Sequence, residues 1–346
     1  MRRRLIVIVC ALAAALIVGL LLYLFFRPQP PLRQQSALGF TLDLPIACTP
    51  GTDCWIVHYV DHDPGPGVAD SFCGPMSYDG HDGIDFAVRD GAAMRAGVEV
   101  LAAADGVVAR VRDGVRDVPV EQGGKEQVAD INCGNGMVVV HPDGWETQYC
   151  HLRQGSVAVR PGDTVQAGQK LGLVGLSGMT SFPHLHLSVR KDGQKLDPFH
   201  ATPPEEACTV AGTSLWSAEA TERIGAYQPL ALSVLGIADG PVTSEAVWDG
   251  RAEAVLLTPD SPAVVAFLGG YALRQGDRIT LTLTDPNGGE VVRHEQDQAR
   301  DQARTMLFAG RKRPPDGWPA GSWTARAEVV RDGQTYHLER RFEVEP

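Results

Sequence analysis

The chain has 346 residues, 44% of them hydrophobic, which is enough apolar mass for two cores and one membrane span. Its formal net charge of -11 argues against nucleic-acid binding, because phosphate recognition needs a basic face and none is visible. Abundant glycine (38) and proline (24) suit the many turns of an all-β protein, and no low-complexity tract or internal repeat interrupts the chain.

The N-terminus opens with Arg2, Arg3 and Arg4, followed by an unbroken apolar run over residues 5–26. At about 1.5 Å per residue this run is long enough to cross a hydrocarbon core of roughly 30 Å as a helix. The arginines favour retention of the near side in the cytoplasm, so the remainder is expected to be exported. A cleaved signal peptide is the competing reading, but its apolar region is shorter and ends in a small-x-small site, which nothing near Phe25, Phe26, Arg27 and Pro28 supplies. The spacing therefore predicts an uncleaved signal anchor over 1–27. A stiff, Pro-rich spacer follows, with Pro28, Pro30 and Pro31, inside a linker drawn over 28–47.

Setting aside Cys10, which lies inside the apolar run, six cysteines remain, an even count that suits disulfides in an exported protein. Cys48 with Cys54 would close a short loop, and Cys133 with Cys150 bracket a hairpin turning at Pro142-Asp-Gly144, slightly out of simple register. Cys73 with Cys208 follows by elimination. Residues 48–78 are turn-rich, and His58, His62 and Asp63 have no fixed spacing that would mark a metal site there, so a lead-in loop packed on the next domain is expected.

The most telling residues lie between 80 and 190. In Phe182-Pro-His-Leu-His-Leu187, an extended strand puts His184 and His186 on one face and Leu185 and Leu187 on the other. Far upstream, His81 and Asp85 stand four apart with Gly83 between them, a spacing a turn can fold onto one metal. His151, at the end of the hairpin, completes the set. A single buried histidine on an apolar strand is usually only a hydrogen-bonded core residue. Three separate Gly-bounded segments offering His or Asp predict instead a zinc site with three ligands and an open position. No His-Glu-x-x-His helix is present, which excludes the arrangement with a glutamate base on a helix. The charged, Gly-rich segment 112–130 reads as a solvated loop rather than a rim of the cleft.

Beyond Pro198 the character changes. Residues 201–214 form a small-residue linker with Pro203 and Pro204, after which period-two patterning sets in, with Ile279, Leu281 and Leu283 inward and Thr280, Thr282 and Thr284 outward. Asp285-Pro-Asn-Gly-Gly289 and Arg331-Asp-Gly-Gln334 are hairpin signals. Residues 215–346 are accordingly expected to form an immunoglobulin-like β-sandwich, with residues 48–200 as the zinc domain. That fold says little about function.

The runs Gly80-His-Asp-Gly-Ile-Asp-Phe-Ala87, Val100-Leu-Ala-Ala-Ala-Asp-Gly-Val107, Gly134-Asn-Gly-Met-Val-Val-Val-His141, Gln148-Tyr-Cys-His-Leu152, Val165-Gln-Ala-Gly-Gln-Lys-Leu-Gly172 and His184-Leu-His186 occur in an order that resembles the lysostaphin-type, or LytM, zinc endopeptidases. The resemblance covers roughly residues 78–198. It implies a compact, mainly antiparallel β catalytic domain holding one zinc ion and hydrolysing peptide bonds in bacterial peptidoglycan stems or cross-bridges. Carried over by position, it implies that His81, Asp85 and His186 ligate zinc and that His184 and His151 are unliganded catalytic histidines. His184 would then be the base and His151 the oxyanion donor, a division the sequence leaves open. Leu187-Ser-Val-Arg190 departs from the family, which often has an aromatic residue and then Glu after the last ligand, so the surroundings of His186 are expected to differ. Two function classes follow: a membrane-anchored zinc metalloendopeptidase on the outer side of a bacterial cytoplasmic membrane, facing the periplasm, or a non-catalytic peptidoglycan-binding or hydrolase-activating protein of the same fold. A peptidase acting on proteins instead of the wall is a third possibility.

Overall fold

The structure is a computed structural model that describes residues 38–208, 211–254 and 256–346. The expected anchor over 1–27 and the proline spacer lie outside the described residues. Among the described residues no helix is long and apolar enough to cross a membrane.

Ten strands build the first part: β1 (Cys54–His58), β2 (Ile84–Val88), β3 (Glu99–Leu101), β4 (Gly106–Arg112), β5 (Asn135–Val140), β6 (Trp145–Leu152), β7 (Thr164–Val165), β8 (Lys170–Leu173), β9 (His184–Lys191) and β10 (Gln194–Leu196). Eight form one sheet in the order β1-β2-β9-β6-β5-β4-β7, with β10 added to β9, while β3 pairs with β8 as a separate ribbon. Every pairing is antiparallel.

Alternation decides which face is which. On β9, Leu185, Leu187 and Val189 are buried in the main core, and Trp145 and Tyr149 of β6 join them. The other face of β9 is left to His184, His186, Ser188 and Arg190, so the apolar half of the strand anchors the chain and the polar half carries the chemistry. The same core takes in Phe40, Leu42, Leu44 and Ile46, and further on Leu215 and Trp216. Leu42 bridges to Trp216 and Ile46 to Val100, so part of the linker expected over 28–47 and the start of the expected distal domain are built into the core of the first part.

The three disulfides Cys48–Cys54, Cys73–Cys208 and Cys133–Cys150 are the pairs expected from the sequence. The register offset of Cys133 is absorbed locally. An irregularity separates the pairs Met137 with Tyr149 and Asn135 with Leu152, and the chain folds back at Gly134 in the left-handed region (φ 62°). A Cβ at Gly134 would lie 2.3 Å from the Ser177 carbonyl oxygen, so only glycine fits this reversal.

Segment 112–130 is largely exposed, as expected of a solvated segment, but it is pinned at one point: Val120 is buried at the start of a short helix, α1 (Val120–Gly123), and donates its amide to the Thr180 carbonyl. The Asp117 carboxylate accepts from the amides of Leu176 and Gln154. These contacts tie it to the segment that precedes β9 and, through Gln154, to the end of β6.

Seven longer strands follow: β11 (Ala231–Ala238), β12 (Ala263–Leu273), β13 (Arg278–Thr284), β14 (Glu290–Asp297), β15 (Gln302–Lys312), β16 (Gly321–Arg331) and β17 (Gln334–Val344). They make a three-stranded sheet, β11-β12-β15, and a four-stranded sheet, β14-β13-β16-β17. Leu232, Val264 and Leu268 of the first share a core with Ile279, Leu281, Leu283 and Trp323 of the second. The turn Asp332-Gly333 has both residues at positive φ (50° and 80°), the primed two-residue hairpin its sequence predicts.

This distal part touches the segment leading into β9. Arg304 of β15 donates to the Ser181 carbonyl at 3.1 Å and lies 5.5 Å over the Phe182 ring, while Tyr271 of β12 packs 5.3 Å from that ring. Residues Gln35–Pro346 cohere as one unit.

Candidate metal centre

Register puts four side chains in one row across the sheet. His58 on β1 pairs with Asp85 on β2, Asp85 with His186 on β9, and His186 with Cys150 on β6. His81 reaches the same point from the loop before β2. His81, Asp85 and His186 each offer a donor atom, all within 4.8 Å of one another. The nearest approaches are His186 Nδ1 to Asp85 Oδ1 at 2.9 Å, His81 Nε2 to Asp85 Oδ1 at 3.2 Å, and His81 Nε2 to His186 Nδ1 at 3.1 Å.

The outer partners of these groups fix the tautomers. His81 Nδ1 lies 2.7 Å from the Tyr59 carbonyl, which can only accept, so this nitrogen carries the proton and Nε2 keeps its lone pair. His186 Nε2 faces Ser188 Oγ at 2.9 Å and Asp82 Oδ1 at 3.3 Å, which places its proton there and the lone pair on Nδ1. Two imidazole lone pairs and a carboxylate oxygen therefore converge on one small volume. Such an arrangement is repulsive unless something positive sits between them. In the metal-free protein that role falls to a proton: burial works against charged His186, but hydrogen bonds to Asp82 and Asp85 outweigh it and raise its pKa to about 9. Asp85 is held well below the usual carboxylate range: its burial is outweighed by the histidines around it. Two nitrogens and one oxygen on a rigid sheet form the donor set that suits a zinc ion with an open position.

The groups behind the donors are well defined. His58 donates from Nδ1 to Asp85 Oδ2 at 2.8 Å, so both oxygens of the buried carboxylate are occupied. Asp82, held by Lys195 and His186, is the carboxylate behind the imidazole, a carboxylate–histidine arrangement that orients the ring. Ser188, at the position where the chain departs from the family, takes part in the same contact. Gly83 contributes by what it lacks, since a Cβ there would stand 2.6 Å from the Leu187 carbonyl and 2.7 Å from His186 Nε2.

Two further histidines flank this centre. His184 Nδ1 lies 2.9 Å from the Phe182 carbonyl and its Nε2 is 3.3 Å from Asp85 Oδ1. His151 Nδ1 lies 2.7 Å from the Ser177 carbonyl, and its ring stands 4.7 Å from that of His184. His151 therefore keeps its lone pair on Nε2, whereas His184 Nε2 points at the Asp85 carboxylate. Burial pushes the His151 pKa well below its ordinary value, and the neighbouring His184 and His186 add to that, so this imidazole is neutral. His151 also holds a left-handed backbone (φ 63°), which costs a non-glycine residue about 1 kcal/mol or more and aims the ring away from the strand direction. His151 lines an open cleft of about 370 Å³ together with Tyr78, His81, Asn132, Met179 and His186.

All five residues singled out by the sequence meet at this point. Sequence reasoning missed His58, which it assigned to a lead-in loop. The short apolar run Cys54-Trp-Ile-Val57 marks a strand, but the pairing that brings His58 to Asp85 is not written in it. His62 serves elsewhere, joining Asp197 Oδ2 at 3.1 Å and the Glu206 carbonyl at 2.9 Å.

Residues 79–198 match Peptidase family M23. Over 139 residues the chain is 31% identical to the DD-carboxypeptidase/endopeptidase Mpg of Neisseria meningitidis, covering 40% of this chain and 26% of that protein. It is 30% identical over 124 residues to the peptidoglycan DD-endopeptidase ShyA of Vibrio cholerae, covering 36% and 23%. The chain thus spans about a quarter of the length of these curated relatives. Among solved structures, the catalytic domain of lysostaphin from Staphylococcus simulans aligns at 24% identity and a TM-score of 0.25, covering 34% of this chain and 75% of that one.

Proposed function

We propose that residues 79–198, a Peptidase family M23 domain, act as a zinc endopeptidase on the peptides of bacterial peptidoglycan. The observation that carries this reading is the convergence of His81 Nε2, Asp85 Oδ1 and His186 Nδ1 on one small volume, three electron-pair donors once His186 gives up its extra proton to a metal ion. Zinc held there supplies a water whose pKa falls toward about 7 and a Lewis acid for a scissile carbonyl.

The chain's own residues do the rest. His151 Nε2 faces the cleft with its Nδ1 proton committed to Ser177, so it can take a proton from water and pass it to a leaving amine. His184 Nε2 lies 3.3 Å from Asp85 Oδ1 on the other side of the centre. With His151 as the base, His184 is left as the imidazole N–H donor to a developing oxyanion. The division is the reverse of the one the sequence suggests. Both side chains are buried, and of the two it is His151 that lines the cleft.

Export is part of the same proposal. Three disulfides suit an oxidising compartment, and the arginine-led apolar run over 2–26 suits a single-pass anchor that leaves the enzyme on the periplasmic side of a cytoplasmic membrane. The distal part is read as an immunoglobulin-like sandwich that braces the enzyme. The test is incubation of the zinc-loaded protein with purified sacculi, with and without chelator, and identification of the released fragments. New amino termini that appear only with zinc support the reading, and intact sacculi with zinc refute it.

A further inference from the structure

The sheet face that carries His186 continues well beyond the metal centre. Ser188 and Arg190 follow it on β9. Cross-strand pairing extends this face from Ser188 to Gln148 on β6, on to Val138 on β5, and then to Arg110 on β4, with Arg112 two residues further along. Two cavities lie along this row. The cleft at the centre is bounded on this side by Ser188 and Arg190, and a second hollow of about 560 Å³ is walled by Arg110, Arg112 and Pro161. Cys133 and Gln148 border both, so the two form one continuous groove.

Three guanidinium groups on one groove are notable in a chain of net charge -11. Arg110 and Arg190 make no ion pair or hydrogen bond among the described residues, and Arg112 reaches only the Gly134 carbonyl at 3.4 Å. The nearby acids do not neutralise them. Asp82 is engaged by Lys195 and His186, and Glu146, opposite Arg190 in register, forms no ion pair among the described residues. β9 and β4 are three strand spacings apart, about 14 Å, the reach of roughly four extended residues.

We propose that Arg190, Arg110 and Arg112 form a carboxylate-reading track, so that the groove selects a peptide bearing free carboxylates within a few residues of the scissile bond over its amidated or all-glycine equivalent. Guanidinium groups pair with carboxylates through two parallel hydrogen bonds and are weakly hydrated, which suits them to this task. The inference rests on the reading of the neighbouring centre as a peptidase and names the chemical class of its substrate.

The test uses the zinc-loaded full chain and a labelled pentapeptide with two free carboxylates, compared with the same peptide carrying both as amides. Binding by fluorescence anisotropy is expected to favour the acidic form by about tenfold or more at low salt, a preference that falls as salt rises. The acidic-to-amide ratio is expected to collapse toward one in R110Q/R112Q and in R190Q and to recover in part in R110K/R112K. Thermal unfolding confirms that the variants fold, and a misfolded R110Q/R112Q leaves R190Q to carry the test. Equal binding of both peptides by the unaltered protein, or variants that weaken both alike, overturns the proposal. Cleavage is read separately. A charge-selective protein that cuts neither peptide removes the peptidase reading and leaves the track, whereas one that cuts both without selectivity removes only the track.

Discussion

Substituting Gly83 with alanine tests the geometry of the centre most directly. Gly83 does not have positive φ, so the new methyl group adds no backbone strain and acts only through space. Its Cβ would sit 2.6 Å from the Leu187 carbonyl oxygen and 2.7 Å from both Cε1 and Nε2 of His186. Ordinary contact begins near 3.4 Å, so the methyl needs about 0.8 Å more room. The backbone oxygen belongs to β9 in mid-sheet and cannot move cheaply, which leaves the His186 ring to yield. Metal ligation tolerates about 0.2 Å, and displacement of a supporting group typically costs 10- to 100-fold in metal affinity, or about 1.4–2.8 kcal/mol. Zinc affinity of Gly83→Ala, measured by competition with a chromophoric chelator, is expected to fall by that factor, with overpacking removing a further 1–3 kcal/mol or so of stability. Unchanged zinc affinity in a folded Gly83→Ala protein would refute the claim that His186 is a ligand packed against Gly83.

Four other outcomes are expected. His58→Ala leaves Asp85 Oδ2 buried without its donor, which should cost about 1–3 kcal/mol of stability and weaken zinc binding roughly tenfold in the same competition assay. The His186 pKa of about 9 in the metal-free protein lies above its unfolded value of 6.5, so its contribution to stability is full below pH 6.5 and is lost as pH rises through 9. Zinc must displace that proton, so titration calorimetry at pH 8 in buffers of different ionisation enthalpy should register proton release, and zinc affinity should climb with pH until about 9. Replacing Cys133 and Cys150 together with alanine opens a loop of 17 residues and should remove about 3 kcal/mol, seen as a lower Tm measured without reductant, with the other two disulfides intact. Arg304→Ala removes the donor to Ser181 and the cation over Phe182, and a loss of about 1–2 kcal/mol is expected by denaturant unfolding, together with faster amide exchange over residues 180–184.

Local pattern was sufficient to read the strands and the donors. Leucine alternating with histidine on β9 states which side faces the core, the Asp-Gly and Pro-Asp-Gly turns mark the hairpins, and an even cysteine count led to the three pairs that form. These signals are short-range, because side-chain direction repeats every two residues and turns need particular backbone torsions. The same locality explains the misreadings. Residues 40–46 fell within the expected linker over 28–47 and Trp216 within the expected distal domain, although Phe40, Leu42, Ile46 and Trp216 lie in the first core.

What the residues alone determined, then, is the set of chemical groups: imidazoles and a carboxylate on the polar faces of short strands, and arginines spaced two apart on β4. The order and register of the sheet decided which of them meet. Strand order placed β1 beside β2 and so brought His58 to Asp85, 27 residues away, and it laid Arg190 and Arg110 along one groove although 80 positions separate them. It also set the closeness of Gly83 to His186, which no periodicity reveals, since an approach across strands depends on pairing between segments about 100 residues apart. A side chain's direction is a property of its own strand, but its neighbours and its proton belong to the assembled sheet.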